Sequence, residues 1–225
     1  MRCSLGNLVR FAALWAALGT LPVAACAAPD ETAAIPCATG NTEMLAGSQA
    51  GAGTRFRIAI GLTVATPVKP ANGWLLGRCN SEQVFFTRTE ADSKDVLTAV
   101  VSHLGLGPWT DEPAFEEQVR RLVDQTQPVG QHLKIVQLKA STVDGRPCVD
   151  VLRTGTVDPI RLPAGGATPP MFTRERLRVC HLRDARGPEA AAMVMFKEIA
   201  RHDPLRFDDS AQPFLAGVTL PPWSQ

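Results

Sequence analysis

The stretch HLKIVQLKASTVDGRPCVDVLRT, residues 132–154, carries Asp144-Gly145 near its middle. Asp-Gly between two β-prone segments is the strongest short-range signal for a hairpin with a two-residue turn. Such a turn fixes which residues of the two strands face each other. An apolar pair then falls on one face and an opposite-charge pair on the other, and a slip by one residue would disrupt both. The predicted opposing pairs are Leu138–Val151, Lys139–Asp150, Ala140–Val149 and Ser141–Cys148.

Residues 175–182 alternate between apolar and polar side chains and predict the next strand of the sheet. If this strand lies antiparallel beside the second hairpin strand with Cys180 opposite Cys148, Val179 also meets Val149. The cysteine pairing and the apolar pairing agree, so the sequence predicts that these two strands are neighbours.

Other segments extend this core. Residues 56–64 alternate strictly and predict a strand with one buried face, and residues 84–89 predict another strand. Apolar residues within 96–104 recur at helical spacing, and Thr110 can cap a second helix. Residues 188–201 have helical propensity but follow a turn signal, so they fit a helix or a strand that returns to the sheet, and we favour the strand.

These elements predict an α+β fold: an antiparallel sheet of five or six strands with two consecutive helices on its apolar face. The C-terminal residues 214–220 predict a short strand or packed coil. All of these elements would belong to a single domain over residues 55–225.

Residues 1–26 have the features of an export signal. Arg2 and Arg10 precede an apolar run over residues 11–23, which is too short to span a bilayer and suits the hydrophobic part of a secretory signal. The motif Val23-Ala24-Ala25-Cys26 resembles the lipobox of bacterial lipoproteins, in which the cysteine is diacylated and becomes the first residue. The resemblance covers the signal only. It implies a lipid anchor on Cys26 and, because no aspartate follows, an outer-membrane location facing the periplasm.

A second cleavage site overlaps the first. Ala25-Cys26-Ala27 satisfies the small-x-small rule of ordinary signal peptidase, and cleavage there would release a soluble periplasmic protein. We assign residues 1–25 to the signal peptide. Residues 26–54 are rich in Ala, Gly, Thr and Pro and predict a flexible tether.

Both cleavage routes leave four of the six cysteines in an oxidising compartment, so two disulfides are expected. The strand pairing described above selects Cys148–Cys180, and Cys37–Cys79 follows mostly by elimination. The spacing of these cysteines contains no C-x2-C unit, and a zinc site is therefore not expected.

Charge and motifs limit the possible functions. Removing Arg2 and Arg10 leaves 21 basic and 22 acidic residues, which argues against nucleic acid as a partner. No two histidines have the spacing of a helical metal pair, and no nucleophile motif is present. The sequence therefore predicts no catalytic residue, metal site or cofactor.

One surface suggests binding. Lys139, Arg176 and Arg178 would share the sheet face opposite the helices, where they could dock a protein partner or an anionic envelope polymer. An ordinary solvated sheet face has the same composition.

Two classes of function stay open. The first is a non-catalytic, envelope-anchored lipoprotein that acts as a binding, assembly or immunity-like module and is held at the membrane by Cys26. The alternative is a periplasmic hydrolase whose site is assembled from distant residues, with His132, His181 or His202 as the general base.

Lipidation of Cys26 is directly testable by metabolic labelling with palmitate in a bacterial host. The wild-type protein should be labelled, and the Cys26→Ala variant should not, because only the thiol of this cysteine can accept the diacylglyceryl group. Equal labelling of the two proteins would contradict a lipid on Cys26.

Overall fold

The computed structural model describes residues 34–37, 48–58, 61–70, 72–159, 166–184, 187–204 and 206–222. The predicted signal and Cys26 lie outside the described residues. The described part of the chain forms eleven strands and two helices. The strands are β1 (Ile35–Pro36), β2 (Ser48–Gln49), β3 (Arg55–Arg57), β4 (Thr63–Ala65), β5 (Leu75–Cys79), β6 (Gln83–Thr89), β7 (Val96–Gly105), β8 (Gln131–Val143), β9 (Arg146–Val157), β10 (Met171–Asp184) and β11 (Gly187–Ala200), and the helices are α1 (Glu112–Gln125) and α2 (Phe207–Ala216).

Eight of the strands form one antiparallel sheet in the order β2-β5-β6-β7-β11-β10-β9-β8. A smaller sheet has the order β1-β3-β4. The fold is therefore mostly β, and the predicted α+β fold of five or six strands with two consecutive helices is wrong.

The main cause of this error is β7, which the sequence analysis assigned to the first helix. Its residues pair with β6 on one side and β11 on the other, so β7 lies inside the sheet. Ala99, Val100 and Val101 are all buried, because both faces of the strand are covered. A strand buried on both faces reads as a continuous apolar run and loses the alternation that distinguishes it from a helix.

The predicted strand over residues 56–64 is also wrong. It divides into β3 and β4, which pair antiparallel around a turn. Gly61 has a φ of 83°, and its backbone N–H donates to the carbonyl of Ile58 at 3.0 Å. Glycine reaches this left-handed conformation without steric cost, which is why the chain reverses here.

The two helices lie far apart in the sequence. α1 begins one residue later than expected: Asp111 is its cap, and Asp111 Oδ1 accepts a hydrogen bond from the backbone N–H of Ala114 at 2.9 Å. α2 occupies part of the C-terminal segment predicted as a strand or coil. Residues 188–201 are confirmed as a strand, since β11 lies between β10 and β7.

The central hairpin is confirmed. Asp144 and Gly145 have φ values of 50° and 76°, as a type I′ turn requires, and all four predicted pairs between β8 and β9 are present. The register shifts by one residue between Ile135 and Gln137. β10 pairs with β9 in the predicted register, with Cys180 opposite Cys148.

Both predicted disulfides are formed. Cys148–Cys180 joins β9 to β10 with a Cα–Cα distance of 4.1 Å, and Cys37–Cys79 joins the N-terminal segment to β5 with a Cα–Cα distance of 5.1 Å. Because Cys37 is bonded to the sheet and both β1 and β2 pair with later strands, the folded unit begins before residue 55, within the range assigned to the tether.

The helices cover opposite faces of the large sheet. Phe115, Val119 and Val123 of α1 pack on the face that presents Val151 and Val179. The other face is covered by α2 and the small sheet, whose buried residues enclose the Cys148–Cys180 disulfide and the aromatic side chains of the core. The principal core residues on this second face are Phe56, Trp74, Phe86, Phe196, Phe207 and Phe214.

Gly155 of β9 lies directly beside the backbone of β8, which leaves no room for a side chain. A Cβ at Gly155 would overlap the carbonyl oxygen of His132 and lie 3.0 Å from the Cα of Leu133. Because backbone atoms cannot move aside as a side chain can, Gly155→Ala should lower the free energy of unfolding by about 3 kcal/mol. Chemical denaturation measures this change.

Gly105→Ala is the matched control, since a Cβ at Gly105 has no heavy atom within 4 Å. Its effect should stay within about 0.5 kcal/mol. A similar loss of stability in both variants would contradict the proposed backbone contact.

Candidate functional site

The residues predicted to form a charged surface lie side by side on three neighbouring strands. Arg178 of β10 lies opposite Asp150 of β9, which lies opposite Lys139 of β8. Arg176 follows two residues before Arg178 and therefore points to the same face. The register of three strands thus brings Lys139, Arg176 and Arg178 together, as the sequence predicted.

Two aspartates hold the arginines in place. Asp150 accepts two hydrogen bonds from Arg178, from Nε to Oδ1 at 2.8 Å and from Nη2 to Oδ2 at 3.3 Å. Asp208, in the first turn of α2, lies 2.9 Å from Nη2 of Arg176. The two-point pairing with Asp150 fixes the plane of the Arg178 guanidinium group, and Asp208 holds Arg176 through a single oxygen.

These side chains line a cleft of about 200 Å³ between the sheet and α2. We call it the cationic cleft; its lining residues are Gln137, Lys139, Asp150, Val151, Leu152, Arg176, Arg178 and Gln212. The expectation that the charged face lies opposite the helices is correct for α1 only. α2 lies on the charged face and contributes Gln212 to the cleft.

The charge of the cleft favours an anion. Three cationic side chains line it. Asp150 pairs with Arg178 and Asp208 pairs with Arg176, so the positive charge of Lys139 is the one left over. Lys139 is exposed, and no ion pair involving it is found among the described residues. Pockets for drug-sized ligands are typically about 300–1,000 Å³, so this smaller cleft suits a single acidic group.

The histidines do not form a common site. His132 lies 2.8 Å from Asp158, but both side chains are more than half exposed. His181 is buried against Trp109 and Phe115, with ring centroids 4.7 and 6.3 Å away. No histidine lines the cleft beside α1, the cationic cleft or the cleft at β5 and β6, and no group of side chains able to hold a metal ion is found among the described residues.

A buried charged cluster that was not predicted from the sequence lies on the face covered by α1. Glu175 of β10 lies between Arg153 of β9 and Lys197 of β11, and these residues are 7% exposed or less. Arg153 Nε donates to Glu175 Oε1 at 2.9 Å, and Lys197 Nζ lies 3.7 Å from Glu175 Oε2. Burial lowers the pKa of Lys197, and the charge of Glu175 partly opposes this change. Arg153 lies two residues from Val151, and Glu175 lies two residues from Leu177, so each points to the same buried face as its apolar neighbour. This spacing was the feature of the sequence from which their burial could have been predicted.

A second group of charges lies on the α2 face. Burial raises the pKa of Glu198 to about 7, with smaller contributions from the negative charges of Asp95 and Glu90, while Arg174 opposes the shift. Arg174 itself lies over the ring of Phe207, 5.6 Å from its centroid. Arg174 therefore contacts α2 through Phe207 and also lies close enough to Glu198 of β11 to oppose the rise of its pKa.

No family model and no curated protein matches the chain. Among solved structures, the chain is similar to the solution structure of cyanobacterial PsbP (CyanoP) from Synechocystis sp. PCC 6803, with a TM-score of 0.47 and 12% sequence identity. The match covers 80% of this chain and 99% of that one. Within the described residues, no helix has both the length and the hydropathy needed to cross a bilayer.

The raised pKa of Glu198 predicts how stability changes with pH. Between the ordinary value of 4.5 and about 7, the folded protein keeps a proton on Glu198 that the unfolded chain has lost. The contribution of Glu198 to stability is therefore fully present below 4.5 and is lost as the pH rises through 7. Glu198→Gln should remove this loss and be more stable than the wild type by about 1 kcal/mol at about pH 8, a figure reduced for solvent screening of the partly exposed group.

Denaturation curves recorded at several pH values measure this difference. The two proteins should have nearly equal stability at pH 4.5, where Glu198 is protonated like the neutral glutamine. Glu82→Gln, at an exposed position, is the control and should follow the wild type. A constant difference between Glu198→Gln and the wild type at every pH would contradict the assignment.

Proposed function

We propose that this chain is an exported, non-catalytic binding module of the bacterial envelope, and that its cationic cleft receives an acidic group of a partner protein. The observation that carries the proposal is the cleft itself, where both arginines are paired with aspartates and Lys139 has no acidic partner among the described residues. The two disulfides are consistent with export to an oxidising compartment. A lipid on Cys26, as the lipobox-like motif suggests, would hold the module at the outer membrane.

The order of the cleft supports binding. Arg178 is bonded to Asp150 and Arg176 to Asp208, so neither guanidinium group has to be immobilised when a ligand enters. Reducing this entropic cost is the general advantage of a preorganised site. Lys139, which is exposed at the edge of the cleft, adds a positive charge that a carboxylate can approach directly.

The cleft favours a protein partner over an anionic polymer. A polymer with many charges requires a large, concentrated positive surface, whereas removal of the signal leaves 21 basic and 22 acidic residues. A volume of about 200 Å³ suits one carboxylate side chain. A hydrolase is not proposed: no histidine lines the cleft, His132 and His202 are exposed, and His181 packs against Trp109.

Binding can be tested with a synthetic peptide in which glutamate and valine alternate, about seven residues long and fluorescently labelled. Fluorescence anisotropy should show binding that weakens as salt is added. Lys139→Gln should weaken it by about three- to tenfold, because one charged contact near the surface is removed. Binding should also shift the NMR signals of the Arg176 and Arg178 Nε–H groups.

Lys134→Gln is the matched control. Lys134 is an exposed lysine on the same strand but does not line the cleft. Its replacement removes the same charge and should change the affinity by less than about twofold. Equal losses in the two variants, with unchanged arginine signals, would indicate diffuse attraction and overturn the proposal.

A further inference from the structure

β8 is the edge strand of the large sheet on the side of the cationic cleft. One side of β8 pairs with β9, and no strand pairs with the other side among the described residues. An edge strand presents a row of backbone donors and acceptors to which another extended chain can bond. β8 is also long, extending from Gln131 to Val143.

The turn determines which backbone groups of β8 point outward. In a two-residue hairpin, the residues flanking the turn exchange hydrogen bonds, and bonded and non-bonded pairs then alternate. Val143, Ser141 and Lys139 therefore direct their backbone groups to β9, and Ala140 and Thr142 direct theirs outward. The same pattern predicts that Cys148, whose backbone groups point to β8, forms a non-hydrogen-bonded pair with Cys180 of β10. The Cα–Cα distance of 4.1 Å between the two cysteines agrees, because the Cα atoms of such pairs lie only about 4.5 Å apart.

The two halves of this edge differ. The half that begins at Gln131 contains Lys134 and the register shift between Ile135 and Gln137, both of which discourage pairing. The half from Gln137 to Val143 has regular pairing with β9. Its one charged side chain is Lys139, at the cationic cleft. The second half is therefore the surface available for another strand.

The charge of β8 selects the kind of strand. His132, Lys134 and Lys139 are its charged or titratable side chains, and it has no acidic residue. A second copy of the chain paired antiparallel through β8 would bring like charges together, which is destabilising. An acidic strand would instead place a carboxylate opposite Lys139.

We propose that the partner of the cationic cleft is an extended acidic segment that pairs with residues 137–143 of β8 by strand addition. This inference rests on the proposed function, because the same cleft receives the carboxylate. Strands in a sheet are about 4.8 Å apart, so a glutamate opposite Lys139 lies on the α2 face, within reach of the lysine ammonium group. The alternate residues of the segment lie on the α1 face beside Leu138 and Ala140 and should be apolar.

Amide hydrogen exchange of the full chain, followed by NMR, tests strand addition with the same glutamate–valine peptide. In the free protein, the N–H groups of Ala140 and Thr142 should exchange quickly, and those of Lys139 and Ser141 slowly. The bound peptide should slow exchange at Ala140 and Thr142 by at least about tenfold, because their N–H groups become hydrogen-bonded. A peptide in which lysine replaces glutamate should not have this effect.

A pair of substitutions at one position gives an independent test. Ala140→Pro removes an outward N–H group, a change that an edge strand tolerates, and it should weaken peptide binding by more than about tenfold. Ala140→Val keeps the N–H group and should bind like the wild type. Thermal unfolding establishes that both variants are folded, and the exchange measurement on the wild type decides the question if the proline variant is not.

The outcomes separate this inference from the proposed function. Shifted Nε–H signals of Arg176 and Arg178 with unchanged exchange at Ala140 and Thr142 would overturn strand addition and leave the cleft as a binding site. Equal protection by the lysine peptide would overturn the requirement for an acidic strand. The absence of binding by the wild type would overturn both proposals.

Discussion

Asp144 and Gly145 both adopt positive φ, which lets the chain reverse in two residues and fixes β8 against β9. The core and the cationic cleft both depend on this register. Successive residues of a strand point to opposite faces, so a slip by one residue would turn Lys139 towards α1 and expose the apolar residues that α1 now covers. The disulfide between Cys148 and Cys180 then carries the same register across to β10.

The buried charges of β9, β10 and β11 add a second constraint. Glu175 lies opposite both Arg153 and Lys197, and Arg153 Nη1 also donates to the carbonyl of Val123 near the end of α1, at 2.6 Å. A shift of β10 would separate these charges from their counterions in the interior, at a cost of several kcal/mol. Apolar packing tolerates rearrangement more readily than this pairing does, so the cluster restricts both the strand register and the position of α1.

The sequence was sufficient where local chemistry determines the structure. The Asp-Gly turn, the alternation around it and the pairing of Cys148 with Cys180 were all predictable, because each depends on residues close together in the sequence or on a single antiparallel pairing. β7 was not predictable in this way, since burial on both faces removes the alternating pattern. α2 was missed because Pro213 interrupts its helical pattern, although Asp208 and Asp209 in its first turn are a signal for a helix start.

The same distinction explains the cleft. Lys139, Arg176 and Arg178 could be placed together from strand alternation and from the register that the Asp-Gly turn and the cysteine pair set. Asp208 and Gln212 reach the site through long-range packing of α2 that no local pattern encodes. A lysine on an edge strand ordinarily prevents association between identical chains. Here the lysine also belongs to a cleft with an excess of positive charge, so the feature that disfavours pairing between copies favours a strand of opposite charge. Specificity of this kind arises from repulsion of the wrong partner as much as from attraction of the right one.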